Sequence, residues 1–199
     1  MSYYAQFVPH GGAIFRMDTR IYLSGSPASQ DDGKRVAAII GKNPGAALTG
    51  ANGGWGELKL AGDNMLPSVR NRFIEAYQLA GKQIPKLAFV QVWNLFYLCN
   101  KDLVSAVNSI DQITSAPRCR REEDGHTPPI VWFAWGGDNP HLNKYKERFL
   151  KTDTRLGHVF FYDYNQKMIR TQFPEAVSHV KHPQGLPRQP VVKHLATIL

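Results

Sequence analysis

Four apolar runs, set apart by stretches with helical spacing, limit what this chain can fold into more than any other feature. They cover residues 36–40, 87–98, 130–135 and 158–162. Each is a near-continuous block of branched and aromatic residues rather than an alternating one, the pattern of a strand covered on both faces. Between the first two, Phe73, Ala76, Tyr77 and Ala80 recur at steps of three and four, from a cap at Ser68 to a stop at Gly81. Asp102 caps a second helix with Leu103, Val107 and Ile110 on its core side. Asp138-Asn139-Pro140 opens a third, carrying Leu142, Tyr145 and Phe149, and residues 191–199 have the spacing of a last one. Strands alternating with helices predict an α/β fold, a three-layer αβα sandwich around a central, mostly parallel four-stranded sheet.

The 199 residues suffice for one sizeable core, so residues 1–199 are read as a single domain. Residues 1–35 form an N-terminal extension in this reading, with a short strand at 20–23. Residues 115–129, charged and bounded by proline, form a surface insertion. The stretch 46–64, rich in glycine and small residues, is too irregular for an element of its own and reads as a functional loop.

Lysine and arginine outnumber aspartate and glutamate by 24 to 16, a net charge of +8 that suits a polyanion or an anionic membrane surface. No run is long enough to span a bilayer, and the start lacks the basic and apolar blocks of a secretory signal, so a cytosolic protein with no membrane partner is expected. Cys99 and Cys119 are far apart and lack CxxC or Cys/His spacing. Neither a disulfide framework nor a metal site is expected, and no cofactor is called for. Cys99 reads as a buried small hydrophobe. No GxxxxGK[ST] loop or GxSxG elbow is present, which argues against phosphoryl transfer and serine hydrolysis.

In a parallel sheet the ligand crevice lies beyond the carboxyl ends of the strands. The residues that follow the apolar runs are therefore the candidates: Asn43, Asn94, Gly136 and the segment near His182. Gly41 to Gly45 resembles the GxNPG motif of the mismatch-specific uracil and thymine branch of the uracil-DNA glycosylase superfamily. The segment from His182 through Gly185, Leu186 and Arg188 is similar to that branch's second motif, and Asn71-Arg72-Phe73 resembles the start of its intervening helix. A bacterial and phage family related to these glycosylases shares RIYL, the NP strand end, WNLF, WG and GxPRxP with this chain. Order and rough spacing hold over residues 36 to 190.

The resemblance implies a monofunctional DNA glycosylase that hydrolyses the N-glycosidic bond of a flipped-out base and leaves an abasic site. Such a reaction builds positive charge on the sugar and negative charge on the base, so it needs a held water and a donor aimed at the base oxygen. Asn43 would hold the water and His182 would stabilise the departing anion as a neutral imidazole. Asn94 would pair with the base edge, Gly41 and Pro44 would shape the base pocket, and Trp55 or Phe73 would stack on the base. Leu186 would fill the gap left in the duplex, with Gly185 allowing close approach and Arg188 and Lys181 on the DNA. Two departures qualify the match: the mismatch branch lacks histidine in its second motif, and relatives with aspartate at the Asn43 position have a stronger base. Glycine at position 45, where uracil-specific relatives carry an aromatic guard, leaves room for a substituent at carbon 5 of a pyrimidine. The preferred substrate is thus a C5-substituted cytosine such as glycosylated hydroxymethylcytosine in phage DNA, with an antiphage role as its extension. Alternatives are uracil or thymine mismatch repair, hydrolysis of a free modified nucleoside or nucleotide, and a non-catalytic nucleic-acid-binding module. The partner expected is double-stranded DNA and the protein is expected to be a monomer. Arg118, Arg120, Arg121, Lys144, Lys146, Arg148 and Lys193 are further candidates to follow phosphates.

Overall fold

The computed structural model describes residues 2–45, 54–60, 62–100, 102–118, 127–137, 139–150 and 157–199. Eight strands form a single mixed sheet: β1 (Tyr3–His10), β2 (Ala13–Tyr22), β3 (Lys34–Gly41), β4 (Gly54–Glu57), β5 (Ala88–Asn94), β6 (Ile130–Phe133), β7 (His158–Asp163) and β8 (Met168–Arg170). Among the described residues four helices accompany them: α1 (Met65–Leu79), α2 (Leu103–Gln112), α3 (Asn143–Leu150) and α4 (Arg188–Ile198). The strand order is β4-β1-β2-β5-β3-β6-β7-β8. The four apolar runs are the consecutive strands β5-β3-β6-β7, with three strands on one side of them and one on the other, and every pairing among them is parallel.

The expected four-stranded sheet is therefore only part of the real one. Residues 3–22 are not an extension: β1 and β2 form an antiparallel hairpin whose second strand pairs with β5. The alternation along β2 breaks at Asp18, at φ +45° opposite a register shift in β1, so Phe15 and Met17 face one layer and Ile21 the other. The glycine-rich stretch does hold an element, since β4 pairs with β1 at the sheet edge. At the far edge β8 adds antiparallel to β7.

Helices α1 and α4 cover one face and α2 and α3 the other, which makes the three layers. On the first face Val69, Phe73, Val191 and Leu195 pack on Ile39, Val90 and Trp132. On the second, Val107, Ile110 and Leu142 share a core with Ile40, Trp93, Phe133 and Phe161. Each such side chain taken fully from water contributes roughly 1.5–3 kcal/mol before entropy is counted. Helix α1 starts at Met65, not at Ser68: the Asp63 carboxylate accepts the N–H groups of Met65 and Leu66 at 2.8 and 3.3 Å. Asp102 caps α2 as expected, accepting from the Ser105 N–H at 2.6 Å, and Gly81 ends the turn after α1 at φ +65°. Asn139 and Pro140 open a 3-10 turn that runs into α3. Cys99 is half-buried against the core, and burial raises its thiol pKa; Cys119 lies outside the described residues. No helix among the described residues is long and apolar enough to cross a membrane.

Candidate functional site

Among the four parallel strands, taken in chain order, the second (β5) lies on one side of the first (β3) and the third (β6) on the other. That reversal puts the topological switch between β3 and β6, where an open parallel sheet splays to leave a crevice. Chain leaves β3 there as Gly41-Lys42-Asn43. Leu95 N–H donates to the carbonyls of Gly41 and Lys42 at 3.1 and 3.0 Å, and Ala134 N–H donates to Ile40, so the ends of β5, β3 and β6 are tied together.

Asn94 is paired in register with Gly41, and it is 1% exposed. A Cβ placed on Gly41 would lie 3.0 Å from the Asn94 Oδ1, so glycine is what leaves the carboxamide its place. The Asn94 Nδ2 is buried without a protein partner, a state that costs about 1–3 kcal/mol and suits a donor reserved for a ligand.

His182 reaches the same end of the sheet by a different route. The chain from Val180 crosses over the tips of β6 and β7, with Gly137 N–H on the Val180 carbonyl at 3.1 Å and Lys181 N–H on that of Tyr162 at 3.0 Å. His182 then packs on Gly136, where an added Cβ would come within 2.9 Å of the His182 Cβ and where φ is +74°. The backbone N–H of Gln184 donates to His182 Nδ1 at 3.2 Å, which leaves the proton on Nε2. Burial, with the positive charges of Lys42 and Lys181 adding to it against Asp63, pushes the His182 pKa down to about 4. At neutral pH the ring is an uncharged Nε2–H donor. Lys42 is itself half-buried, which lowers its own pKa.

Asn94, at the end of β5, and His182, packed on Gly136 after β6, thus lie on either side of the exit of β3. Both present N–H donors. A planar ligand with acceptor edges, or one that gains negative charge, is what such a pair would stabilise.

No family model, curated protein or solved structure matches this chain.

The remaining candidates fall less neatly. Asn43 leaves the same strand end, but its Nδ2 donates to the carbonyls of Asn100 at 2.9 Å and Pro44 at 3.2 Å, so its nitrogen ties the loop and only Oδ1 is left to receive a water. Pro44 is buried and Gly45 is exposed with open space where a side chain would be. Phe73 is not a stacking platform: it is fully buried on α1 among Val69 and Val191. Trp55 lies on edge strand β4, stacked on Tyr4 and with the Arg20 guanidinium 4.8 Å from its ring, three strands from β5. Leu186 is 5% exposed and belongs to the α1–α4 core, so it is not presented as a wedge; a leucine between glycine and proline in a loop reads as exposed until α1 is packed over it. Gln184 and Gly185 form the exposed tip instead. Arg188 pairs through both its Nε and Nη2 with the Glu75 carboxylate, and Lys181 lies 4.5 Å from the Tyr164 ring.

The basic residues do not form one stripe. Lys144 bonds Asp111, Lys146 is fully buried with its Nζ 2.6 Å from the Ala176 carbonyl, and Arg148 donates to the Asn94 carbonyl. Arg120 and Arg121 lie outside the described residues. A cavity of about 1230 Å³ opens on the α2–α3 side, lined by Asp18, Gln30, Phe96, Tyr145 and Arg148, and neither Asn43, Asn94 nor His182 lines it. Among the described residues no three His, Cys, Asp or Glu side chains cluster as metal ligands. The sequence does not mark Lys42, which sits inside the first motif and acts on His182 by charge, or Arg72, whose loop partners Pro183 and Leu186 are more than 110 residues away.

Proposed function

We propose that this protein is a metal-independent DNA glycosylase acting on a modified pyrimidine. The single observation that carries the reading is the pair of N–H donors, the buried Asn94 Nδ2 and the half-buried, neutral His182 Nε2–H, on either side of the switch-point exit of β3. In the reaction the C1′–N bond breaks, the electron pair stays on the base, and His182 donates a hydrogen bond to the base oxygen as it becomes anionic. Asn94 Nδ2 donates to another acceptor of the same ring. Asn43 Oδ1 accepts a hydrogen bond from the water that adds to C1′, its amide plane fixed by the bond from Nδ2 to Asn100. The water's proton leaves to solvent, because an amide is no base, and this favours a base that departs readily. Open space at Gly45 supports a substituent at carbon 5, and we take C5-substituted cytosine, including its glycosylated hydroxymethyl form, as the preferred substrate, with defence against phage as the setting.

The test is direct. Duplexes carrying uracil, thymine mismatches, hydroxymethylcytosine or glycosylated hydroxymethylcytosine are incubated with the protein and EDTA, and the products are assayed for alkali-labile sites and free base by mass. Release of a C5-substituted cytosine from one of them supports the reading, and no release from any of them defeats it.

A second reading is favoured by the burial of Leu186 and the Arg188–Glu75 pair, which leave the loop without its expected DNA-gripping side chains. A hydrolase of a free modified nucleoside needs neither. Cleavage of the nucleoside with no cleavage of the duplex selects it.

A further inference from the structure

Arg72 stands on α1, yet half of its hydrogen bonds leave the helix. Its Nη1 donates to the Ser68 carbonyl at 3.1 Å and to the Ser68 hydroxyl, while Nη2 donates to the carbonyls of Leu186 at 2.9 Å and Pro183 at 3.3 Å. The residue is 6% exposed, and burial lowers its pKa, with the nearby Arg188 adding and Glu75 opposing. An arginine nonetheless stays charged, and holding a cation out of water is costly unless its donors are well used.

What those donors hold is a tight turn. Leu186 N–H reaches back to the Pro183 carbonyl at 3.4 Å, and Gly185 takes φ +69° at the third position, a conformation glycine accepts without strain. The second residue of that turn is Gln184, whose N–H donates to His182 Nδ1. A continuous set of contacts thus runs from the α1 guanidinium through both ends of the turn to the imidazole. Arg72 is too deeply buried to meet a substrate in this arrangement.

We propose that Arg72 is a positioning residue for His182: by clamping the Pro183 and Leu186 carbonyls it places the Gln184 N–H that fixes the imidazole as its Nε2–H tautomer and aims that donor at the crevice. The catalytic consequence rests on the glycosylase reading above, whereas the tautomer does not. Nη2 holds both loop carbonyls while Nη1 is anchored on Ser68, and a single ammonium cannot make both sets of bonds at once.

The experiment uses the full-length protein carrying Arg72→Met, which keeps the buried stem and removes the fork. Two-bond proton–nitrogen spectra at pH 7 report the His182 tautomer in the free protein. Wild type should be almost wholly Nε2–H, and the variant should show a mixture with the Nδ1–H form. Single-turnover base release should fall about 100-fold with KM within about twofold, as expected when an active group is misplaced rather than a contact to substrate lost. Added guanidinium ion at millimolar concentration should restore both. If the Met variant does not fold, Arg72→Lys takes its place with the same spectra. A folded variant with the wild-type tautomer overturns the proposal, and a wild type that releases no base from any substrate, with the tautomer shifted as expected, overturns the function and leaves the clamp standing.

Discussion

A histidine whose ordinary pKa is 6.5 and whose folded value is about 4 binds its proton more readily in the unfolded chain. The sign follows: its effect on stability is absent above pH 6.5, and the folded form loses stability as pH falls from 6.5 toward 4, because the unfolded state takes up the proton first. The ring carbon and nitrogen shifts of His182 should accordingly titrate with a midpoint near 4, and the acid limb of base release should lie there too. A midpoint near 6.5 would remove the neutral donor from the mechanism at mildly acidic pH. Lys42→Met removes the second-largest influence after burial, so the midpoint should rise in that variant without reaching 6.5. Asn94 offers a different separation. Its Nδ2 has no partner to lose, so Asn94→Leu, close in volume, should not lower stability in urea and should raise it by up to about 1–3 kcal/mol, the cost of the unpartnered donor. Base release should fall on the order of 100- to 1000-fold, the usual loss when one preorganised donor is removed. A variant that is equally active would show the amide to be a buried accident of the strand end.

At the scale of elements, α1 is the piece on which the loop from His182 to Arg188 is mounted. Arg72 and Glu75, three residues apart and so on one side of the helix, hold the turn and the end of the loop. Leu186 lies between those two grips in the core, and its truncation should behave as core truncation: Leu186→Ala should cost about 2–5 kcal/mol in chemical denaturation. An exposed wedge would give a variant of wild-type stability, and calorimetry separates the two. How much of this the chain reveals depends on the range of the interaction. The four parallel strands, the α2 cap and the stop at Gly81 are legible because each depends on neighbours within a few residues, and the places of Gly41 and Asn94 are legible because parallel strands put their ends at one edge. The clamp from Arg72 and the burial of Leu186 are not, since each depends on a contact across more than 110 residues that no local pattern encodes. Phe73 shows the converse. Its place in the helical spacing marks it as core, and its place beside the motif residues is no counterweight to that periodicity.

For the molecule as a whole, the decisive matter is whether β1 and β2 belong to the fold or merely decorate it. Strand β2 lies between β1 and β5, and its Arg20 is paired with Asp18 at 2.8 Å with both side chains almost fully buried. Asp18 also accepts from Gln30 at 2.9 Å and from Gln91 of β5 at 2.9 Å, while the Arg20 guanidinium sits 4.6 Å from the Phe89 ring. A buried ion pair gives little net stability in itself, but removing one side of such a network leaves the other charge and the Gln91 amide stranded in the sheet. Deleting residues 1–33 removes Asp18 and Arg20 together and takes from the Gln91 amide its Asp18 acceptor; it also strips Ile21 and Phe15 from the two cores and turns β5, all seven of whose residues are buried, into an exposed edge. The truncated chain should therefore fail to give a dispersed amide spectrum and should elute as aggregate, although it retains every strand-end residue named above. Were it instead to unfold cooperatively as a monomer, the hairpin would be an appendage after all, and the four-stranded parallel core would be a self-sufficient unit carrying the site alone.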